Sequence, residues 1–99
     1  METLTIFIKG KWFEQISLGE KTKEYRQVKP FWTSRLFDKA GKRIRYGKIE
    51  FINGMLTGAR RMTTEFEGFR EKDGVYIIKI GKIIKRTNFR AADVKTTRG

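Results

Sequence analysis

Ninety-nine residues, 38% of them hydrophobic, are enough for one compact core and exclude a second domain. Lys and Arg number 23 against 11 Asp and Glu, a formal charge of +12 that exceeds what solubility requires and predicts a polyanionic partner. The absence of Cys and His excludes disulfides, thiolate and imidazole metal sites, cysteine nucleophiles and the histidine base, so any catalysis falls to Lys, Asp, Glu, Ser, Thr or Tyr.

In chain order, Thr5-Ile6-Phe7-Ile8 is a β-branched and aromatic run bounded by Gly10, which predicts a buried strand. Trp12, Phe13 and Ile16 then recur at helical spacing with Lys11, Glu14 and Gln15 opposite, which predicts an amphipathic helix over 11–18 with Gly19 as its terminating residue. Residues 23–27 alternate as a strand that sends Lys23 and Tyr25 to one face and Glu24 and Arg26 to the other. Pro30 opens a helix over 30–38, with Trp32 and Leu36 or Thr33 and Phe37 as its i,i+4 seam and Gly41 beyond it. Ile49-Glu50-Phe51-Ile52 predicts a strand closed by an Asn53-Gly54 hairpin turn. Residues 60–68 alternate with Met62, Thr64 and Phe66 inward. Lys72-Asp73-Gly74 marks the next turn, and Val75-Tyr76-Ile77-Ile78-Lys79-Ile80 is the most hydrophobic strand.

About five short strands with two short helices near the start predict an α+β domain, whose small sheet curls towards a barrel because a chain this short cannot protect long open edges. The domain is expected over 1–86. Residues 87–99 lose apolar periodicity and are expected to be a loosely held basic tail. No run approaches the roughly 20 apolar residues of a spanning helix, and there is no long basic amphipathic helix. Met1-Glu2-Thr3-Leu4 also lacks the cationic start of a secretory signal, so a cytoplasmic protein with no membrane partner is expected.

The densest charge lies in Gly19-Glu20-Lys21-Thr22-Lys23-Glu24-Tyr25-Arg26, where an apolar segment has just ended. Phe13-Glu14-Gln15-Ile16 leads into it, and Lys29-Pro30-Phe31-Trp32-Thr33-Ser34-Arg35-Leu36 follows. Together these resemble the signature of the ASCH domain, a small branch of the PUA-like fold, in which a helix ends in Gly-x-Lys-Thr and a strand then carries an acidic or hydroxyl residue followed by Arg. The resemblance runs from about Leu4 to about Ile84. It implies a small PUA-like β-barrel and a cleft, lined here by Lys21, Thr22, Glu24 and Arg26, that takes RNA or a nucleotide-containing ligand.

The chemistry suits that reading, because Lys21 and Arg26 can hold phosphate or a carbonyl oxygen while Glu24 accepts from the amino edge of a base. The competing account is an ion pair between Glu24 and Arg26, two residues apart on one strand face, that holds the barrel mouth. Lys23, Tyr25, Arg35, Arg43, Arg45 and Tyr46 add cations interleaved with π-faces, the mixture that follows an unstacked nucleic-acid strand. Lys39, Lys42 and Lys48 extend the same basic segment. Trp12, Phe13, Phe51 and Phe66 are assigned to the core, as is Trp32 in preference to a stacking platform. Duplex DNA is a further partner that composition does not distinguish from RNA.

Some ASCH proteins resemble amidohydrolases that deacylate a modified cytidine with a lysine, a hydroxyl residue and a distant carboxylate. Lys21 matches the lysine, Glu24 replaces the hydroxyl residue, and the segment that supplies the distant carboxylate is missing at the tight Lys72-Asp73-Gly74 turn. The catalytic pair, if there is one, is Lys21 and Glu24. Other relatives resemble metal-dependent ribonucleases, for which Glu24, Glu65 and Glu67 are the clustered carboxylates. Pairing of exposed strand glutamates with Arg60, Arg61 and Arg70 is the favoured account of these, so no metal ligand and no cofactor is assigned. A phage-style basic surface that docks another protein is the third class.

Overall fold

A computed structural model of the chain describes residues 1–55 and 57–89. Five strands and two helices follow in the order β1 (Glu2–Ile8), α1 (Gly10–Ser17), β2 (Lys23–Gln27), α2 (Pro30–Leu36), β3 (Tyr46–Asn53), β4 (Arg61–Lys72) and β5 (Val75–Thr87). They form an α+β domain around one curled sheet of order β1-β3-β4-β5-β2, in which β1 and β3 are parallel and the other neighbours antiparallel. β1 and β2 are therefore the two edges. No strand ladder joins them, so the sheet curls without closing.

Alternation in β1 buries Leu4, Ile6 and Ile8, which meet Phe13 and Ile16 of α1, Phe51 of β3 and Met62 of β4 in a single core. Two polar contacts fix the helices to it. The hydroxyls of Tyr76 and Thr33 are 2.7 Å apart, tying β5 to α2. Arg86 reaches back from β5 and donates to the Ser17 carbonyl at 2.9 Å and to its hydroxyl at 3.1 Å, satisfying an otherwise orphan acceptor at the end of α1.

Gly19 ends α1 as the spacing predicts. Its φ of 79° lies in the left-handed region, its N–H donates to the Ile16 carbonyl at 3.0 Å, and the Glu20 N–H donates to the Gln15 carbonyl at 2.9 Å. This is a complete Schellman closure, which fixes the direction in which Lys21 leaves the helix.

Several boundaries differ from the sequence reading. α2 stops at Leu36 rather than 38, because Phe37 turns extended and Asp38 accepts the N–H groups of Ala40 and Lys42, both at 2.9 Å, to build its own turn. Asn53-Gly54 does not form a two-residue hairpin. Asn53 still belongs to β3, its N–H donates to the Arg60 carbonyl at 2.9 Å, and residues 54–60 make the connection. β4 runs past 68 because Gly68, at φ 97°, takes up a register shift that turns Phe69 inward after Met62 and Thr64. β5 continues to Thr87, and the Phe89 ring lies 5.6 Å from that of Phe13, so residues 87–89 pack as part of the domain. The rest of the expected tail, 90–99, lies outside the described residues. Among the described residues no helix is long and apolar enough to cross a membrane.

Candidate functional site

Strand alternation in β2 turns Glu24 inward, 6% exposed, and leaves Lys23 and Tyr25 on the outer surface. Lys21, released by the Schellman turn, places its Nζ 3.1 Å from Glu24 Oε1. Arg26 approaches from the other side, with Nε 2.9 Å and Nη2 2.5 Å from Glu24 Oε2. Three of the five charged residues of the run thus form a Lys–Glu–Arg triad in which one carboxylate is held by cations on both sides. Removing Glu24 from water is favourable only with both partners in place, which makes the triad part of the domain wall.

Arg26 does more than pair. Its Nη2 also donates to the Phe7 carbonyl of β1 at 3.2 Å, so the guanidinium spans the gap between the two sheet edges. That gap opens into a cleft of about 410 Å³, with Thr3, Thr5 and Phe7 on one side, Phe31, Trp32 and Arg35 of α2 on the other, and Arg26 and Tyr46 at its ends. Its volume lies in the range of small-ligand pockets. Because the Phe7 carbonyl faces away from β3, strand geometry turns the backbone N–H and C=O groups of Thr3 and Thr5 the same way, along the free edge.

Both guanidiniums of this cleft lie against rings. Arg35 Cζ is 4.0 Å from the Phe31 centroid, and Arg26 Cζ is 5.1 Å from that of Trp32. Among the described residues no carboxylate lines the cleft. The Tyr46 hydroxyl donates to the Arg35 carbonyl at 2.5 Å, and burial pushes the Tyr46 phenol above its ordinary range, with Glu2 adding to the rise and Arg35 opposing it. A second hollow of about 390 Å³ lies across the triad, lined by Trp12, Lys21, Glu24 and Tyr25. Lys21 Nζ sits there between two rings, 5.4 Å from the Trp12 centroid and 5.3 Å from that of Tyr25.

The structure thus brings Lys21, Glu24 and Arg26 into contact and sets Arg35 and Tyr46 in the cleft that Arg26 closes. Thr22 ties its carbonyl to the Ile80 N–H at 2.9 Å and lines a shallow hollow with Lys23 and Tyr25. Arg43 lies elsewhere: its Nη1 donates to the Phe69 carbonyl at 2.5 Å and its Cζ is 4.1 Å from the Phe69 ring. Arg45 is exposed just before β3.

Among the described residues no group of three acidic side chains is placed to hold a metal ion, so Glu24, Glu65 and Glu67 do not make a metal centre. The expected pairing of Glu65 and Glu67 with Arg60, Arg61 and Arg70 is also not formed among the described residues, where Arg70 makes no ion pair. Arg61 pairs with Glu50 of β3 at 3.1 Å, and Arg60 pairs with Glu14 of α1.

One aromatic residue assigned to the core lies at the surface instead. Trp12 is 42% exposed, because Phe13, Ile16 and Ser17 form the buried stripe of α1 and Trp12 falls beside it. Its neighbour Lys11 was the available signal, with Nζ 5.1 Å from the indole centroid. Trp32 packs partly buried against the core, as assigned, and also forms a wall of the cleft. No protein-family model and no curated protein sequence matches this chain.

Proposed function

We propose that this domain binds RNA or a nucleotide-containing ligand, the ligand class its resemblance to ASCH and PUA-like domains implies, but in the basic cleft between the β1 edge and α2, which of the expected cleft residues Lys21, Thr22, Glu24 and Arg26 only Arg26 lines. The observation that carries the reading is the pairing of two guanidiniums with aromatic rings in one cleft that, among the described residues, no carboxylate lines. Arg35 supplies the charge for a phosphate. Trp32 and Tyr46 supply apolar faces for a base, and the β1 edge supplies donors and acceptors for its polar rim. Arg26, already engaged by Glu24 and Phe7, is a fixed wall with one charge half spent.

The test is a titration of the protein with single-stranded RNA, duplex DNA and free nucleosides side by side, repeated with Arg35→Ala and Trp32→Ala. Binding that both substitutions weaken about tenfold, with unchanged circular dichroism, supports the cleft. Wild-type affinity in both removes it.

A second reading has one observation in its favour. Lys21 and Glu24 meet at 3.1 Å in the hollow beside Trp12 and Tyr25, the geometry an amidohydrolase acting on acylated cytidine would require of a lysine–carboxylate pair. Glu24 is shared with Arg26 there, and this ranks hydrolysis second.

A further inference from the structure

The cross-strand register lines up the outer faces of β4, β5 and β2. Arg70 stands opposite Ile77, which stands opposite Tyr25. One step along, Lys72 stands opposite Val75 and Val75 opposite Gln27; one step the other way, Lys79 stands directly opposite Lys23. Steps of two residues are about 6.7 Å and strands about 4.8 Å apart, so Lys23, Lys79 and Arg70 stand within about 10 Å of Tyr25, on the sheet side of this edge strand, and Lys72 one diagonal step further out. Tyr25 is 54% exposed, and Lys23, Arg70, Lys72 and Lys79 are all exposed.

Two features of this face have no use in the fold. Like charges directly opposite one another across a strand pair are destabilising, and Lys23 faces Lys79 in that position. Among the described residues, none of the four cations makes an ion pair. Two of the carboxylates adjacent in sequence turn away: Glu24 is buried and Glu71 stands opposite the buried Tyr76. Among the described residues acid lies at the margins, with Glu20 beside Lys23, with Asp73 next to Lys72 in the exposed turn between β4 and β5, and with Glu65 and Glu67 against Gly81, one step beyond Lys79. The basic rows therefore end at Gly81.

We propose that this outer face of β2, β5 and β4 is a platform for single-stranded nucleic acid, with Tyr25 stacking an unpaired base and Lys23, Lys79, Arg70 and Lys72 contacting the flanking phosphates. The proposal rests on the nucleic-acid reading of the cleft and extends it to a surface that the cleft residues do not reach. A half-exposed ring on a sheet offers its face only to a base that is already unstacked, so a single strand fits where a duplex does not.

Fluorescence anisotropy with labelled oligouridine, oligothymidine and a short duplex tests it, with polyglutamate as competitor. Tyr25→Ala should weaken single-strand binding between about fivefold and a hundredfold. The double substitution Arg70→Ala and Lys79→Ala should reduce the magnitude of the log affinity against log salt slope by about 1.4. Lys79→Glu is the sharpest variant, because it sets a carboxylate opposite Lys23: binding should fall while the melting temperature rises by a few degrees. The oligouridine and oligothymidine arms separate RNA from DNA, and either one supports the platform. Sheet variants that bind as wild type, while Arg35→Ala weakens binding, overturn the platform and leave the cleft standing. Failure of every oligonucleotide to bind overturns both. Equal binding of the duplex overturns the platform in favour of backbone charge alone, and full competition by polyglutamate with Tyr25→Ala silent overturns it in favour of a surface for acidic protein.

Discussion

The side chain of Arg26 on β2 donates to the carbonyl of Phe7 on β1 at 3.2 Å, and so ties one edge of the sheet to the other where no strand ladder does. The same guanidinium holds the buried Glu24 at 2.5 Å. A residue expected to wait on a cleft rim for ligand is thus also a clasp of the fold.

Arg26→Ala should accordingly lower unfolding free energy by about 2–4 kcal/mol. It leaves a 6% exposed carboxylate with Lys21 as its remaining cation and opens the seam. Arg26→Lys should recover about half of this, because an ammonium keeps the charge but cannot make both contacts of the planar fork. Urea unfolding of the three proteins decides it, and a midpoint for Arg26→Ala equal to wild type would free Arg26 for a purely ligand-binding role.

The basic segment 35–48 divides by the same logic. Arg43 and Arg45 are both exposed, but Arg43 is bound to the Phe69 carbonyl and stacked on its ring. Arg43→Ala should cost about 1–3 kcal/mol of stability and little affinity, and Arg45→Ala the reverse. With about five phosphate contacts in total, log affinity should fall against log salt with a slope near −3.5 for a single strand. Paired unfolding and salt-titration series on the two variants measure both effects, and a loss of affinity confined to Arg43→Ala would invert the assignment.

The elements were legible where local chemistry sets them. Gly19 ended α1, β2 alternated as its residues dictate, and Asp73-Gly74 turned β4 into β5, because each depends on backbone preference within a few residues. What was not legible depends on partners far along the chain. Trp12 has the spacing of a core residue, and its exposure follows from which stripe of α1 meets β1 and β3. Arg61 finds Glu50 rather than Glu65 or Glu67 because β3 pairs with β4 in a register that sequence does not print. The candidate site divides likewise. The contact of Glu24 with Arg26 is local enough to follow from alternation and that of Lys21 with Glu24 follows from the turn at Gly19, while the cleft with Arg35 and Trp32 exists only because α2 packs beside the free edge of β1.

Tyr46 makes stability fall at high pH. Burial raises its phenol above the ordinary value near 10, so in the folded protein the proton is held to higher pH than in the unfolded chain. Between the two values the folded state binds more protons. The stabilisation is therefore complete below the unfolded value and is lost as pH rises through the folded one. Tyr46→Phe should lose about 1 kcal/mol near neutrality with the bond to the Arg35 carbonyl, yet decline less steeply than wild type above about pH 10. Denaturation midpoints from pH 8 to 11 for the two proteins test this, and parallel curves would show that the Tyr46 phenol is not coupled to folding.

Glu24 decides between binding and hydrolysis. An acyl transfer requires a nucleophile, or a water with a base beside it, within reach of an oxyanion stabiliser. Glu24 is the carboxylate of the hollow beside Lys21, and both of its oxygens are already engaged, Oε1 by Lys21 and Oε2 twice by Arg26. A water positioned by Glu24 would have to displace one of these contacts, and the Lys21 ammonium is aimed at Glu24 and two rings rather than at open space. The wild-type protein should therefore turn over acylated cytidine far below about 1 s⁻¹, the lower end of ordinary enzyme rates. Glu24→Gln should bind oligonucleotide at least as well as wild type, since it removes a negative charge between two cations, while losing about 1–3 kcal/mol of stability. Chromatographic assay of cytidine released over time, beside an oligonucleotide titration of the same samples, separates the two outcomes. Turnover near 1 s⁻¹ that disappears in both Lys21→Ala and Glu24→Gln would assign those two residues as a catalytic pair and reverse the ranking of the two readings.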